Sequence, residues 1–356
     1  MKLYENNLYI EDVNYVSSLN LPWKMLAGKS VLISGATGLI GSFLIDVLMN
    51  RNRKGLNCSV FASSRNIKDN RDRFSEWLDD PLLHFIKHDI REPLTYPETD
   101  HMDFVLHLAS NTHPIQYATD PIGTITTNIY GLKNMLDFAC DHHAIRFAFA
   151  SSNEIYGENR GDTELFNESY CGYIDCNTLR AGYPESKRCG EALCQAYKVQ
   201  KGLDVVIPRF TRSYGPSMRM TDTKAISQFI IKALAGEDIV LKSSGKQHYS
   251  YSYVADSVSG LLYILLCGKN GEAYNIADEA SDITLKDLTA IIAEISGQKV
   301  IRENPEAVEA AGYSKATKAR LDGSKLRGLG WIAKYPIKNG LERTLSILKS
   351  NSAFFT

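Results

Sequence analysis

The chain has 356 residues, with 40 Lys and Arg against 41 Asp and Glu, a net charge of −1, and 44% hydrophobic and 23% charged residues. These proportions exclude a disordered or collagen-like chain. The balanced charge argues against a nucleic-acid binder, and no apolar run reaches the roughly 18 residues of a membrane span. The length suggests about two domains, or one large domain with an appendage.

The first 28 residues mix charged and apolar positions and show no apolar signal core, so a cytoplasmic protein is expected. The seven cysteines (Cys58, Cys140, Cys171, Cys176, Cys189, Cys194, Cys267) are scattered and odd in number. Neither a disulfide framework nor a metal set is expected of them. The first strand is predicted at 30–34, an unbroken apolar run suited to a parallel strand covered on both faces. A glycine loop follows, then a helix over 42–50. Further strands are predicted at 59–63, 84–87, 104–108, 146–151 and 204–208, with the longest helices at 122–142 and 184–201. This alternation predicts an α/β fold, a doubly wound parallel (Rossmann) sheet with ligands beyond the carboxyl ends of its strands. After Tyr214 the elements shorten: a helix at 224–235, a strand at 239–242, a polar turn at 243–248, and helices from 254 and over 284–296. The expected organisation is an N-terminal extension (1–28), a mainly dinucleotide-binding domain carrying the catalytic residues (29–213), and a smaller, mainly substrate-binding α/β region (214–356).

Gly35, Gly38 and Gly41 form G-x-x-G-x-x-G between a strand and a helix. Such a loop lets backbone approach a diphosphate at a helix N-terminus. Thr37 adds a hydroxyl, and Leu39 and Ile40 belong to the same stretch. Asp89, with Ile90, ends a later strand, where an acid can accept from an adenine amino group. Leu108, Ala109 and Ser110 end the next strand, and Asn128 is a further expected cofactor contact. At the end of the second strand, where an acid would select NAD, the chain has Ser63, Ser64 and Arg65. These residues lean locally toward a 2′-phosphate, so NADP stands as the alternative to NAD.

Ser152 follows an apolar strand, and 31 residues later Tyr183 and Lys187 have Y-x-x-x-K spacing at the start of a helix. One helical turn puts the lysine beside the phenol. Its ammonium, with a positive nicotinamide ring, is expected to lower the phenol's pKa from about 10. Tyr183 would then take a proton from a substrate hydroxyl as hydride leaves the same carbon, with Ser152 donating to that oxygen.

These motifs resemble those of the extended short-chain dehydrogenase/reductase superfamily, the nucleotide-sugar epimerases, dehydratases and decarboxylases, with closest likeness to UDP-glucuronate decarboxylases. The resemblance rests on the glycine triplet, on Ser152, Glu154, Tyr156 and Gly157, and on Tyr183 and Lys187. The later landmarks Tyr214-Gly215-Pro216, Tyr253-Val254-Ala255-Asp256 and Leu329-Gly330-Trp331 extend it. It implies NAD, a homodimer, and transient oxidation at a sugar C4 followed by epimerisation or decarboxylation, with Glu154 as a further catalytic group. A net reductase using NADPH and a 4,6-dehydratase are the alternatives. Asn153 stands where dehydratases carry an aspartate, which disfavours dehydration. The expected substrate contacts are re-equipped. Arg212 replaces the usual asparagine, Ser217 an arginine, and Tyr249 the arginine that clamps the diphosphate. Asn153, Arg212, Arg219 and Tyr249 are therefore the candidate substrate-binding residues, with Arg212 and Arg219 taking the substrate's anionic part.

Overall fold

The computed structural model describes residues 3–96, 99–112, 114–306, 310–311, 313–314 and 316–350. The chain starts with helix α1 (Asn7–Ser17), capped by Asn6, whose side chain accepts from the N–H groups of Leu8 and Tyr9. Strand β1 (Ser30–Ser34) leads through the glycine loop into α2 (Leu39–Asn52). Then come β2 (Ser59–Ser64), α3 (Ile67–Arg73), β3 (Leu83–Lys87), β4 (Phe104–His107), α4 (Pro114–Thr119) and α5 (Pro121–Asp141). They are followed by β5 (Arg146–Phe149), β6 (Ser151–Ser152), α6 (Gly182–Lys201) and β7 (Val205–Phe210).

Together with β11 (Ala273–Ile276), these strands form the large sheet, in the order β11-β7-β5-β4-β1-β2-β3, with β6 pairing with β7. Among the described residues its strands all pair in parallel. Strand order reverses between β1 and β4, where Ser34 pairs with His107, and such a reversal opens a crevice for a ligand. The predicted strand 146–151 divides: β5 pairs with β4 and β7, whereas β6 pairs with β7 alone. The predicted strand 204–208 continues to Phe210, because Arg209 and Phe210 pair with both β6 and β11.

Strand β8 (Arg212–Tyr214) starts a second, four-stranded sheet with β10 (His248–Tyr253), β12 (Asp282–Thr284) and β14 (Lys318–Ala319). Between them lie α7 (Ala225–Leu234), β9 (Ile239–Leu241) and α8 (Val254–Cys267). Helix α9 (Leu285–Ser296) and β13 (Val300–Arg302), which pairs with β9, follow, and a helix over Ile337–Lys349 ends the described chain.

The N-terminal extension ties these parts together. The Tyr9 hydroxyl donates to Asp46 of α2 (2.5 Å), which also receives Arg73. Asp12, fully buried, accepts from Tyr253 of β10 (2.6 Å) and from Arg343 near the C-terminus (2.9 Å). Among the described residues, no helix is long and apolar enough to cross a membrane.

Candidate active site

Gly35 has φ +74°, and a Cβ there would fall 2.8 Å from the Ala109 nitrogen. A Cβ on Gly41 would fall 2.5 Å from the Gly35 carbonyl oxygen. Only glycine keeps this turn tight against the end of β4. Gly38 caps α2 without a side-chain bond, so the first-turn N–H groups are left for an anion. Leu108, Ala109 and Ser110 lie at the end of β4, and Ala109 donates to the Ser34 hydroxyl (3.3 Å). That hydroxyl also meets the Nδ1 of buried His107 (2.8 Å), whose pKa burial lowers to about 3.

The adenosine end differs from expectation. The Ser63 hydroxyl is buried without a hydrogen-bond partner. Ser64 donates to the side-chain Oδ1 of Asn70 (2.8 Å), and Arg65 is exposed. The expected phosphate cradle is thus broken up, because the N-terminal turn of α3 takes the second serine. Asp89 is gripped by Arg91, through Nε and Nη2, which holds its carboxyl at about 2. Ile90 packs where a Cβ on Gly131 would sit.

The candidate catalytic residues converge. Ser152 accepts from the Glu154 N–H (3.2 Å), and the Ser152 and Ser110 hydroxyls lie beside the Tyr183 hydroxyl and act to lower its pKa. Ser110 donates to Asn128 Oδ1 (2.8 Å), Asn128 donates to Ser186 (2.8 Å), and Ser186 donates to the Tyr183 carbonyl (2.7 Å). Asn128 therefore fastens the end of β4 to the first turn of α6. Lys187 donates to the Ala150 carbonyl (2.8 Å), with its ammonium 5.9 Å from the Tyr183 ring centre. Burial lowers its pKa to about 8.

Taken together, the chain's own groups raise the Tyr183 pKa. Burial raises it, the Glu154 charge raises it further, and Ser152, the Arg180 charge and Ser110 only oppose this. Both Glu154 oxygens lie on Arg180 Nη2, at 2.7 and 2.6 Å. Glu154 is thus an ion-paired carboxylate beside the tyrosine.

A cavity of about 210 Å³ adjoins these residues, lined by Asn153, Glu154, Arg180, Pro184 and Arg212 among others. Arg212 lies over the Tyr249 ring, 3.4 Å from its centre, and its Nη1 is buried without a hydrogen-bond partner. Two of the candidate substrate residues do not line this cavity. Tyr249 spends its hydroxyl on the Ala316 carbonyl (2.7 Å), so it serves as a platform for Arg212. Arg219 does not line this cavity; it donates to the Thr37 hydroxyl and carbonyl in the glycine loop (2.5 and 3.4 Å). A second cavity of about 350 Å³, lined by Tyr15, Tyr263 and Trp331 among others, contains none of the candidate catalytic residues.

A model of the family described as "NAD dependent epimerase/dehydratase family" matches residues 31–277. The chain belongs to the NAD dependent epimerase/dehydratase family. It is 32% identical over 314 residues to UDP-glucuronic acid decarboxylase 5 of Arabidopsis thaliana, covering 87% of this chain and 86% of that one. It is also 32% identical over 324 residues to UDP-glucuronic acid decarboxylase 1 of Xenopus tropicalis, covering 89% and 71%. Among solved structures, dTDP-glucose 4,6-dehydratase from Streptomyces venezuelae with NAD bound superposes with a TM-score of 0.78 at 25% identity, covering 91% of this chain and 98% of that one. UDP-glucuronic acid 4-epimerase from Bacillus cereus gives a TM-score of 0.76 at 22% identity, covering 90% and 99%, and shares the fold.

In this epimerase/dehydratase family member, two residues beside the candidate catalytic tyrosine are not among the site residues expected from the sequence. Tyr117 of α4 stacks on Tyr183 with ring centres 4.9 Å apart and planes at 23°. Arg180 lies over Tyr117 at 4.8 Å. Arg180 stands three residues before Tyr183, about one helical turn, which is a usable signal. Tyr117 has no local signal, since it reaches the site only through the packing of α4.

Proposed function

We propose that this chain is an NAD-dependent nucleotide-sugar enzyme that oxidises a sugar at C4, alters the keto sugar by decarboxylation or epimerisation, and then reduces it. The glycine loop fits the dinucleotide, because the tight turn that Gly35 and Gly41 allow leads into a helix whose first-turn N–H groups have no side-chain cap. NAD, when bound, accepts the C4 hydride and returns it. Tyr183, as the phenolate, takes the proton of the C4 hydroxyl and becomes the phenol, Ser152 orients that oxygen, and the Lys187 ammonium favours the phenolate from which the step starts. NADP has only exposed Arg65 in its favour, which leaves NAD as the cofactor of this reading.

The observation that carries the substrate class is Arg212, a guanidinium held on Tyr249 at the cavity wall with a buried, unpartnered nitrogen. A guanidinium fork suits a sugar carboxylate or a diphosphate. The likeness to UDP-glucuronic acid decarboxylases favours a uronic acid and decarboxylation. Asn153 lines the cavity and supplies no acid for loss of water. Mass spectrometry of products from a panel of nucleotide sugars tests this. A product lighter by carbon dioxide, or an isomer of equal mass, supports it. Loss of water, or net consumption of added NADPH, overturns it.

The same reading includes a cytoplasmic homodimer. All seven cysteines are free, as suits a reducing compartment. Helices α5 and α6 leave Ile122 (76%), Tyr130 (58%) and Val199 (81%) exposed, apolar surface that a second copy can cover. A monomeric mass in light scattering at micromolar concentration would sink the dimer.

A further inference from the structure

We infer that Arg219 retains the dinucleotide: carried by the substrate-side region, it binds the cofactor's diphosphate beside the glycine loop. The inference rests on the reading that this chain holds NAD. Residues 35–41 contain no charged side chain, so the loop itself offers an anion only N–H groups and the partial charge of the α2 terminus. Arg219 brings a full positive charge to that loop from 182 positions away, with Nη2 on the Thr37 hydroxyl and Nε toward the Thr37 carbonyl. Its fork has five N–H donors, more than these two contacts occupy.

The residue is held in place from both sides. Ser217 donates to the Leu39 carbonyl in the first turn of α2 (2.9 Å), and Met218 closes a turn onto Gly215 (3.1 Å). On the other side the Asp222 N–H bonds the Arg219 carbonyl (3.0 Å), Asp222 pairs with Lys224 (2.8 Å), and Gln228 of α7 donates to the Asp222 carbonyl (2.5 Å). Segment 217–224 is therefore a strap fastened to the glycine loop at one end and to α7 at the other. Arg219 itself is exposed, so its guanidinium is accessible to a ligand laid along the glycine loop. An enzyme that returns the hydride within one cycle gains from such a hold, because cofactor lost midway strands the keto sugar.

The test is NAD release from the full-length protein, followed by stopped-flow fluorescence and by the nicotinamide retained after gel filtration. Arg219→Ala is expected to release NAD at least about tenfold faster, the scale of losing a hydrogen bond to a charged group. Arg219→Lys should fall between, since it keeps the charge and loses the fork. Affinity for UDP and dTDP, used as substrate-side probes, should stay within about twofold, and the melting temperature of the NAD-free variants should match wild type. Unchanged NAD release with weakened UDP or dTDP binding would return Arg219 to the substrate and overturn the inference. Wild-type protein that binds no NAD would overturn the cofactor reading, and this inference with it.

Discussion

Arg212 and Tyr249 form one unit, with the guanidinium carbon 3.4 Å from the ring centre. The register of the small sheet explains why. Arg212 of β8 pairs with Tyr251 of β10, and Tyr249 is two residues along, on the same face. The Tyr249 hydroxyl is fixed to the Ala316 carbonyl, so the ring cannot turn away without losing that bond. Arg212→Ala should raise KM at least about tenfold. If the arginine holds only a diphosphate, kcat at saturation should stay nearly constant, since that contact is equal in ground and transition states. If it holds the carboxylate that leaves, kcat should fall as well. Tyr249→Ala should reproduce the KM effect in part, and Tyr249→Phe, which keeps the ring, should do so less. Steady-state kinetics separates these outcomes, and unchanged KM and kcat in Arg212→Ala would place the residue outside the site.

Tyr183→Phe removes one hydroxyl and keeps the ring stacked on Tyr117. Turnover should fall by at least about 10²-fold, the scale of a positioned general base. Ser152→Ala should cost on the order of 10²–10³-fold if its hydroxyl donates to the developing alkoxide. Circular dichroism should show both variants folded. Activity within a few-fold of wild type in Tyr183→Phe would exclude it as the base.

Lys187 gives a pH dependence with a definite sign. Its pKa falls from 10.5 to about 8 through burial, so the folded enzyme carries the ammonium below about pH 8 and loses it above. The rate should therefore decline on an alkaline limb near pH 8, and Lys187→Met should lack that limb and be slow throughout. Between about pH 8 and 10.5 the unfolded chain binds more protons at this residue, so its contribution to stability rises with pH. The predicted loss of rate is thus not a loss of fold at this residue. A pH–rate profile flat through pH 8–9 would contradict the assignment.

Arg65 tests the choice of cofactor. It is exposed, and Ser64 beside it is committed to Asn70. Arg65→Ala should change NAD and NADP affinity by equal, small amounts in isothermal titration. A selective loss of NADP binding of tenfold or more would show that Arg65 reads a 2′-phosphate.

The residues alone determine much of this protein. The apolar run of β1, the glycine triplet and the Y-x-x-x-K spacing are local patterns, each completed within a turn or two of chain. Each is therefore legible without knowing what packs against it, and so is the alternation that builds the parallel sheet. Tertiary structure decides the rest. Glu154 reads in sequence as a possible base, and only the fold supplies Arg180 to pair with it and Tyr117 to stack on Tyr183. The proximity of Lys187 to Tyr183 is legible, but the direction of the Tyr183 shift depends on burial by distant elements, which outweighs the local charge. Ser64 reads as a phosphate ligand until the first turn of α3 folds back and claims its hydroxyl. Arg219 reads as a substrate ligand from its place after Gly215-Pro216, whereas the strap lays it on Thr37. Spacing along the chain fixes neighbours one helical turn apart, but contacts across 182 residues depend on how separate elements pack, and burial and charge at the site follow from that packing.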